Sequence, residues 1–111
     1  MTKVRFFERN GLLFGIESQG HSGYASEGED IVCSAVSTVM TMAECYLTDI
    51  CGYDTSVEID SDEPRISVKL ESGTEEEKQN CNRILRAAKA TLEENAREYS
   101  LWLRVSVITR G

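Results

Sequence analysis

The chain of 111 residues has one proline, one histidine and one tryptophan, and none of its four cysteines forms a CxxC pair. A single proline rules out a proline-rich linker, and the missing CxxC argues against a zinc ribbon or a dithiol redox motif. Imidazole chemistry, if the protein uses any, is confined to one position. Basic residues are also scarce, 12 against 19 acidic, and the resulting formal charge of −7 argues against a nucleic-acid surface, which needs clustered lysine and arginine. An acidic chain suits a basic protein partner instead. The N-terminus, MTKVRFFERNG, lacks the apolar stretch of a secretory signal, and no window approaches the 18 apolar residues of a membrane span. The expectation is a cytoplasmic protein without membrane contact, its thiols reduced, with neither a metal nor a cofactor.

What is present is ordinary for a folded domain: 41% hydrophobic and 28% charged residues, in a length that fits one domain spanning 1–111. Val4 and Phe6 alternate with Lys3 and Arg5, Asn10-Gly11 supplies turn residues, and Leu12, Phe14 and Ile16 resume the alternation, which predicts a hairpin. From Ser18 to Glu29 the chain reads SQGHSGYASEGE, a loop with three glycines and three serines. A long helix is expected next, with Asp30 as N-cap, Gly52 as stop, and Val32, Val36, Val39, Ala43, Tyr46, Leu47 and Ile50 on its buried face. Val57 and Ile59, then Ile66, Val68 and Leu70, predict a second hairpin. Thr74 and Glu77 have the spacing of a capping box, followed by a stripe of Cys81, Ile84, Leu85, Ala88, Leu92, Ala96 and Tyr99. The closing LWLRVSVI reads as a strand. The order ββαββαβ implies an α+β fold, a mostly antiparallel sheet packed with two helices, and the polar alternate faces of several strands favour both helices on one side.

Two residues carry the chemistry. His21 follows Gly20 in the glycine-rich loop, and Cys33 is expected in the first turn of the long helix, where unpaired amides and the helix dipole favour a thiolate. A loop that leaves a strand and turns back into that helix can bring imidazole and thiol within reach, with the imidazole as base and helix-start amides, including that of Cys33, as oxyanion donors. Each residue alone has a plainer reading: a solvated loop histidine, a small core filler. Asp30 fits a triad member or a helix cap equally, and Ser37, one turn beyond Cys33, fits a hydrogen-bond partner of the sulfur or a surface residue. Cys81 reads as core, while Cys45 and Cys51 fall late on the first helix.

The segment GHSGYASEGEDIVCSAVSTV resembles the Gly-His and Asp-Ile-Val-Cys-x-Ala-Val-Ser motifs of the ribosomal-processing cysteine protease family known as Prp. The resemblance implies a cysteine endopeptidase that removes an N-terminal extension from the twenty-seventh protein of the large ribosomal subunit, cutting after an aromatic residue so that ribosome assembly can proceed. It further implies His21 and Cys33 as the catalytic pair, Asp30 and Ser37 near the site, and a homodimer. The loop residues Gly20, Ser22, Gly23 and Tyr24 would engage substrate. Ser34 stands where alanine is usual, and the Ser22-Gly23 and Ser26-Glu27 tips are idiosyncratic.

Two other readings compete. A non-enzymatic, ribosome-associated module would use the same groove to hold a basic protein tail. A redox sensor would pair Cys33 with Cys45 or Cys51, but positions 33 and 45 lie about 18 Å apart along a continuous helix, too far for a disulfide.

Overall fold

The computed structural model describes residues 1–20, 27–60, 62 and 65–111, without the side chains of 27–29. Its elements are β1 (Thr2–Arg9), β2 (Leu12–Gln19), α1 (Glu27–Cys45) running into a π-helical turn (Tyr46–Ile50), β3 (Asp54–Asp60), β4 (Arg65–Ser72), α2 (Glu75–Glu98) and β5 (Leu103–Thr109). The sheet order is β3-β4-β2-β1-β5, antiparallel throughout except for the parallel pair β1 and β5. This is the expected α+β architecture with its ββαββαβ order.

Local chemistry explains the elements. Asn10 and Gly11 both hold positive φ, 54° and 79°, as a two-residue hairpin turn requires. Gly52, at φ 67°, ends the first helical run by donating its N–H to the Thr48 carbonyl at 3.1 Å. At α2 the capping box forms as its spacing predicts: Glu77 N–H donates to Thr74 Oγ1 at 3.1 Å, and Thr74 N–H donates to Glu77 Oε1 at 2.9 Å.

Strand alternation then decides which face is covered. Val4, Phe6, Leu13, Ile16, Val68, Leu70 and Leu103 join Val32, Val36, Met40, Ala43 and Leu47 of α1 and Cys81, Leu85, Ala88 and Leu92 of α2 in one buried cluster, so both helices pack on the same face. The register puts Lys3, Arg5, Glu17, Arg65 and Lys69 on the other face. There Glu17 is held between Arg5 at 3.3 Å and Arg65 at 3.9 Å. By mean hydropathy, 1.4, Asp30–Ile50 is long and apolar enough to cross a membrane, contrary to the sequence expectation. Its apolar stripe is nevertheless buried in the domain core.

Several expected positions differ. Met40, absent from the expected stripe, is buried, whereas Ile50 is 75% exposed. The wider π turn shifts the helical phase after Cys45 and rotates Ile50 outward. At the join, Asn80 Nδ2 donates to the hydroxyls of Tyr46, at 2.8 Å, and Tyr53, at 3.0 Å, tying the end of the first helical run to α2. The last strand starts at Leu103, because Trp102 and Leu103 N–H groups are both committed to the Tyr99 carbonyl. A β-bulge between Phe7 and Glu8 interrupts the β1–β2 register. Beside it Leu13 N–H donates to Oδ1 of Asn82, a buried α2 residue, at 2.9 Å.

Cys81 is fully buried, and that burial, helped by nearby Cys51, pushes its thiol up to about 12. Two outcomes follow. Asn82→Ala leaves the Leu13 amide without its acceptor and should cost about 1–3 kcal/mol in chemical denaturation, with activity retained by the folded fraction. Cys81 should resist alkylation at pH 8 until denaturant unfolds the protein, while exposed Cys45 reacts in the native state, as peptide mapping would register.

Candidate active site

α1 begins at Glu27, so Asp30 lies inside its first turn and is not the N-cap. The acidic run Glu27, Glu29, Asp30 accounts for the earlier start, since carboxylates are favoured near the positive end of a helix. Cys33 is therefore in the second turn. Its N–H falls within the helical i→i−4 ladder, and the expectation that this amide serves as an oxyanion donor is withdrawn. The field of the helix end, which fades within one turn, also reaches Cys33 less than a first-turn position would allow.

What meets the sulfur instead is the start of β1. Thr2 Oγ1 lies 3.8 Å from Cys33 Sγ, within reach of a weak hydrogen bond to sulfur, and Thr2 is 3% exposed. Its position is fixed from two sides. Thr2 pairs with Leu103 in the parallel ladder, and its N–H donates to the Trp102 carbonyl at 2.8 Å. Cys33 itself is half-buried, open enough for a substrate carbonyl to approach. Sequence reasoning missed Thr2, because a threonine at a strand start carries no motif and its contact with position 33 is purely tertiary.

The end of β2 arrives at the same place. Gly20 holds φ 103°, and a Cβ on it would sit 2.4 Å from the Met1 carbonyl oxygen and 3.4 Å from Thr2 Cα. Only glycine lets the chain pass this close in that conformation. The residue preceding His21 thus abuts the backbone of the residue whose hydroxyl meets Cys33. His21, Ser22, Gly23 and Tyr24 lie outside the described residues.

The remaining expected site residues stand apart. Asp30 is exposed and borders a shallow groove of about 600 Å³ between α1 and α2, with Ile31, Ala35, Val39, Thr91 and Asn95. Ser37 is exposed and makes no hydrogen bond to Cys33 among the described residues. None of the four cysteines is in a disulfide. The unbroken helix between positions 33 and 45 keeps those two thiols apart and disfavours the redox pairing. Chemically, the described part of the site offers a half-buried thiol with a fixed hydroxyl beside it, at the point where a glycine-bearing loop begins.

Comparison with known proteins connects this geometry to a family. The structure resembles SMU.848 from Streptococcus mutans with a TM-score of 0.85 and 24% identity, over 99% of this chain and 96% of that one. It also resembles the essential ribosomal processing protease Prp from S. aureus. The complex of that protein with a substrate peptide gives 0.81 and 16% identity, and its complex with a covalently linked product peptide 0.79 and 18%, both over 97% of this chain and 100% of the other. At these identities the likeness speaks for the fold. A search of curated proteins finds no match. The family model for cysteine protease Prp, however, matches residues 1–103, and by that match the chain belongs to the Prp family of cysteine proteases.

Proposed function

We propose that this protein removes the N-terminal extension of the twenty-seventh large-subunit ribosomal protein, cutting after an aromatic residue, with Cys33 as nucleophile and His21 as base. Family membership supports the reaction type. The observation that carries the residue assignment is the meeting of Gly20, Thr2 and Cys33 at one end of the sheet, which starts the His21 loop beside the thiol. The covalently linked product peptide in the S. aureus protein accords with a covalent route.

The steps balance as follows. The His21 imidazole takes the Cys33 thiol proton, and the thiolate adds to the scissile carbonyl carbon. The tetrahedral intermediate collapses with rupture of the C–N bond, and imidazolium gives its proton to the departing amine, which is the new N-terminus of the ribosomal protein. The extension remains as a thioester on Cys33. Water, deprotonated by His21, then releases it as a carboxylic acid and restores the thiol. Thr2 is a positioning residue in this scheme: its hydroxyl donates to the sulfur and holds it. The reaction belongs in the cytoplasm, where thiols stay reduced, and a homodimer is the proposed assembly.

Incubation with a peptide carrying such an extension should give one cut after the aromatic residue, read by mass. Cys33→Ala and His21→Ala should give none while keeping the native circular dichroism spectrum; full cleavage by either sinks the dyad. Peptide binding by Cys33→Ala combined with no product from the unmodified protein would instead describe a non-enzymatic module for a basic tail. Thr2→Val, nearly the same shape without the hydroxyl, should lower kcat up to roughly tenfold with KM little changed, the size expected for one hydrogen bond. An unchanged kcat would remove Thr2 from the account.

A further inference from the structure

The two helices do not cover the whole of their face of the sheet. Val4, Ser18, Ile66 and Ile59 are successive partners across β1, β2, β4 and β3. Along that row burial falls away: Val4 is 0% exposed, Ile66 is half-buried and Ile59, on the edge strand, is 73% exposed. Val57, opposite Val68 and on the same side, is 37% exposed. Scattered apolar residues on a surface need no explanation, but these three are contiguous.

They also face the flank of α1 that bears the thiol. Ala35 and Val39 turn toward α2, while Val32, Val36 and Met40 enter the core. With about 100° between successive helical residues, Cys33, Ser37 and Glu44 fall on the flank beyond the core stripe, away from α2 and toward the uncovered β4–β3 surface. Strands lie about 4.8 Å apart, so Ile66 and Ile59 stand roughly 10 Å and 14 Å from β1, where Thr2 meets Cys33. An extended peptide covers that span with about three or four residues, at roughly 3.3 Å each. The borders are acidic, Glu44 on α1 and exposed Asp62 between β3 and β4, in a chain of net charge −7.

We infer that Ile59, Ile66 and Val57 form an outer substrate subsite that takes an apolar side chain three or four residues from the scissile bond, in a peptide whose flanks are basic. The inference rests on the peptidase reading of Cys33 and deepens it by naming residues that set substrate choice. The groove's apolar floor removes the side chain from water, its acidic borders attract the flanking cations, and the route leads to the sulfur.

The test separates binding from chemistry by using Cys33→Ala protein. Fluorescent, basic-flanked peptides are built around one phenylalanine, with isoleucine or serine placed three and four residues from it on either side, and binding is read by anisotropy. The isoleucine peptide should bind, Ile59→Asp should weaken it roughly tenfold or more, and Ile59→Leu should not. The serine peptide should bind weakly and ignore position 59. Because Ile59 is exposed on an edge strand, Ile59→Asp should keep the native thermal midpoint within a few degrees, which confirms that the folded protein is being compared. Equal binding of both peptides, no binding of either, or indifference of the isoleucine peptide to Ile59→Asp overturns the subsite. Cleavage by the unmodified protein without this dependence removes the subsite alone. The dependence without any cleavage removes the peptidase reading and keeps the groove.

Discussion

β1 has a partner on each side, β2 antiparallel and β5 parallel, and the position of everything at the site follows from that double pairing. The parallel ladder starts at Thr2 and Leu103, so the first turn after α2 is what places the Thr2 hydroxyl. The antiparallel ladder brings the end of β2 back to the same strand end, where Gly20 presses on Met1 and Thr2. α1 is then held over this point by its own apolar stripe, and Cys33, on the edge of that stripe, meets Thr2. A nucleophile on one element, a hydroxyl on another and a loop start on a third converge because one strand is shared by all of them.

This arrangement divides labour between burial and exposure. The core holds Cys81 as a neutral, inert thiol, while Cys33 keeps access to solvent one position from Val32, a residue of the same core. The opposite sheet face, with Glu17 clasped by Arg5 and Arg65, is polar and takes no part. The uncovered β3 edge lies on the helix side, adjoining the thiol-bearing flank of α1. Fold and chemistry therefore share one asymmetry: two helices too narrow to cover five strands leave a gap on the flank where the cysteine points.

The sequence disclosed local rules well. The Asn10-Gly11 turn, the Thr74–Glu77 capping box, the Gly52 stop and the α2 stripe each depend on residues a few positions apart, and each is found where its spacing says. It disclosed less where several local rules compete. Asp30 is a good N-cap by type, yet three acidic residues in a row make an equally good first turn, and the helix takes the earlier start. Ile50 continues the heptad-like spacing of its helix, but the π turn breaks the phase that the spacing assumes. Thr2 and Asn82 were illegible for a different reason, since their partners, Cys33 and Leu13, lie 31 and 69 residues away and only the folded sheet brings them together. Of the candidate site, the Cys33 and Gly20 positions were readable from motif and loop chemistry; the supporting hydroxyl was not.

The central claim is that Cys33 becomes covalently acylated by the fragment it releases. Acid-quenching the protein within the first turnover of an extension-bearing peptide, then mapping the intact and digested masses, tests this directly. The account predicts a transient adduct with the mass of the N-terminal fragment, less water, on Cys33. A peptide that is cut with no adduct at any time, or an adduct on Cys45, Cys51 or Cys81 instead, would contradict it.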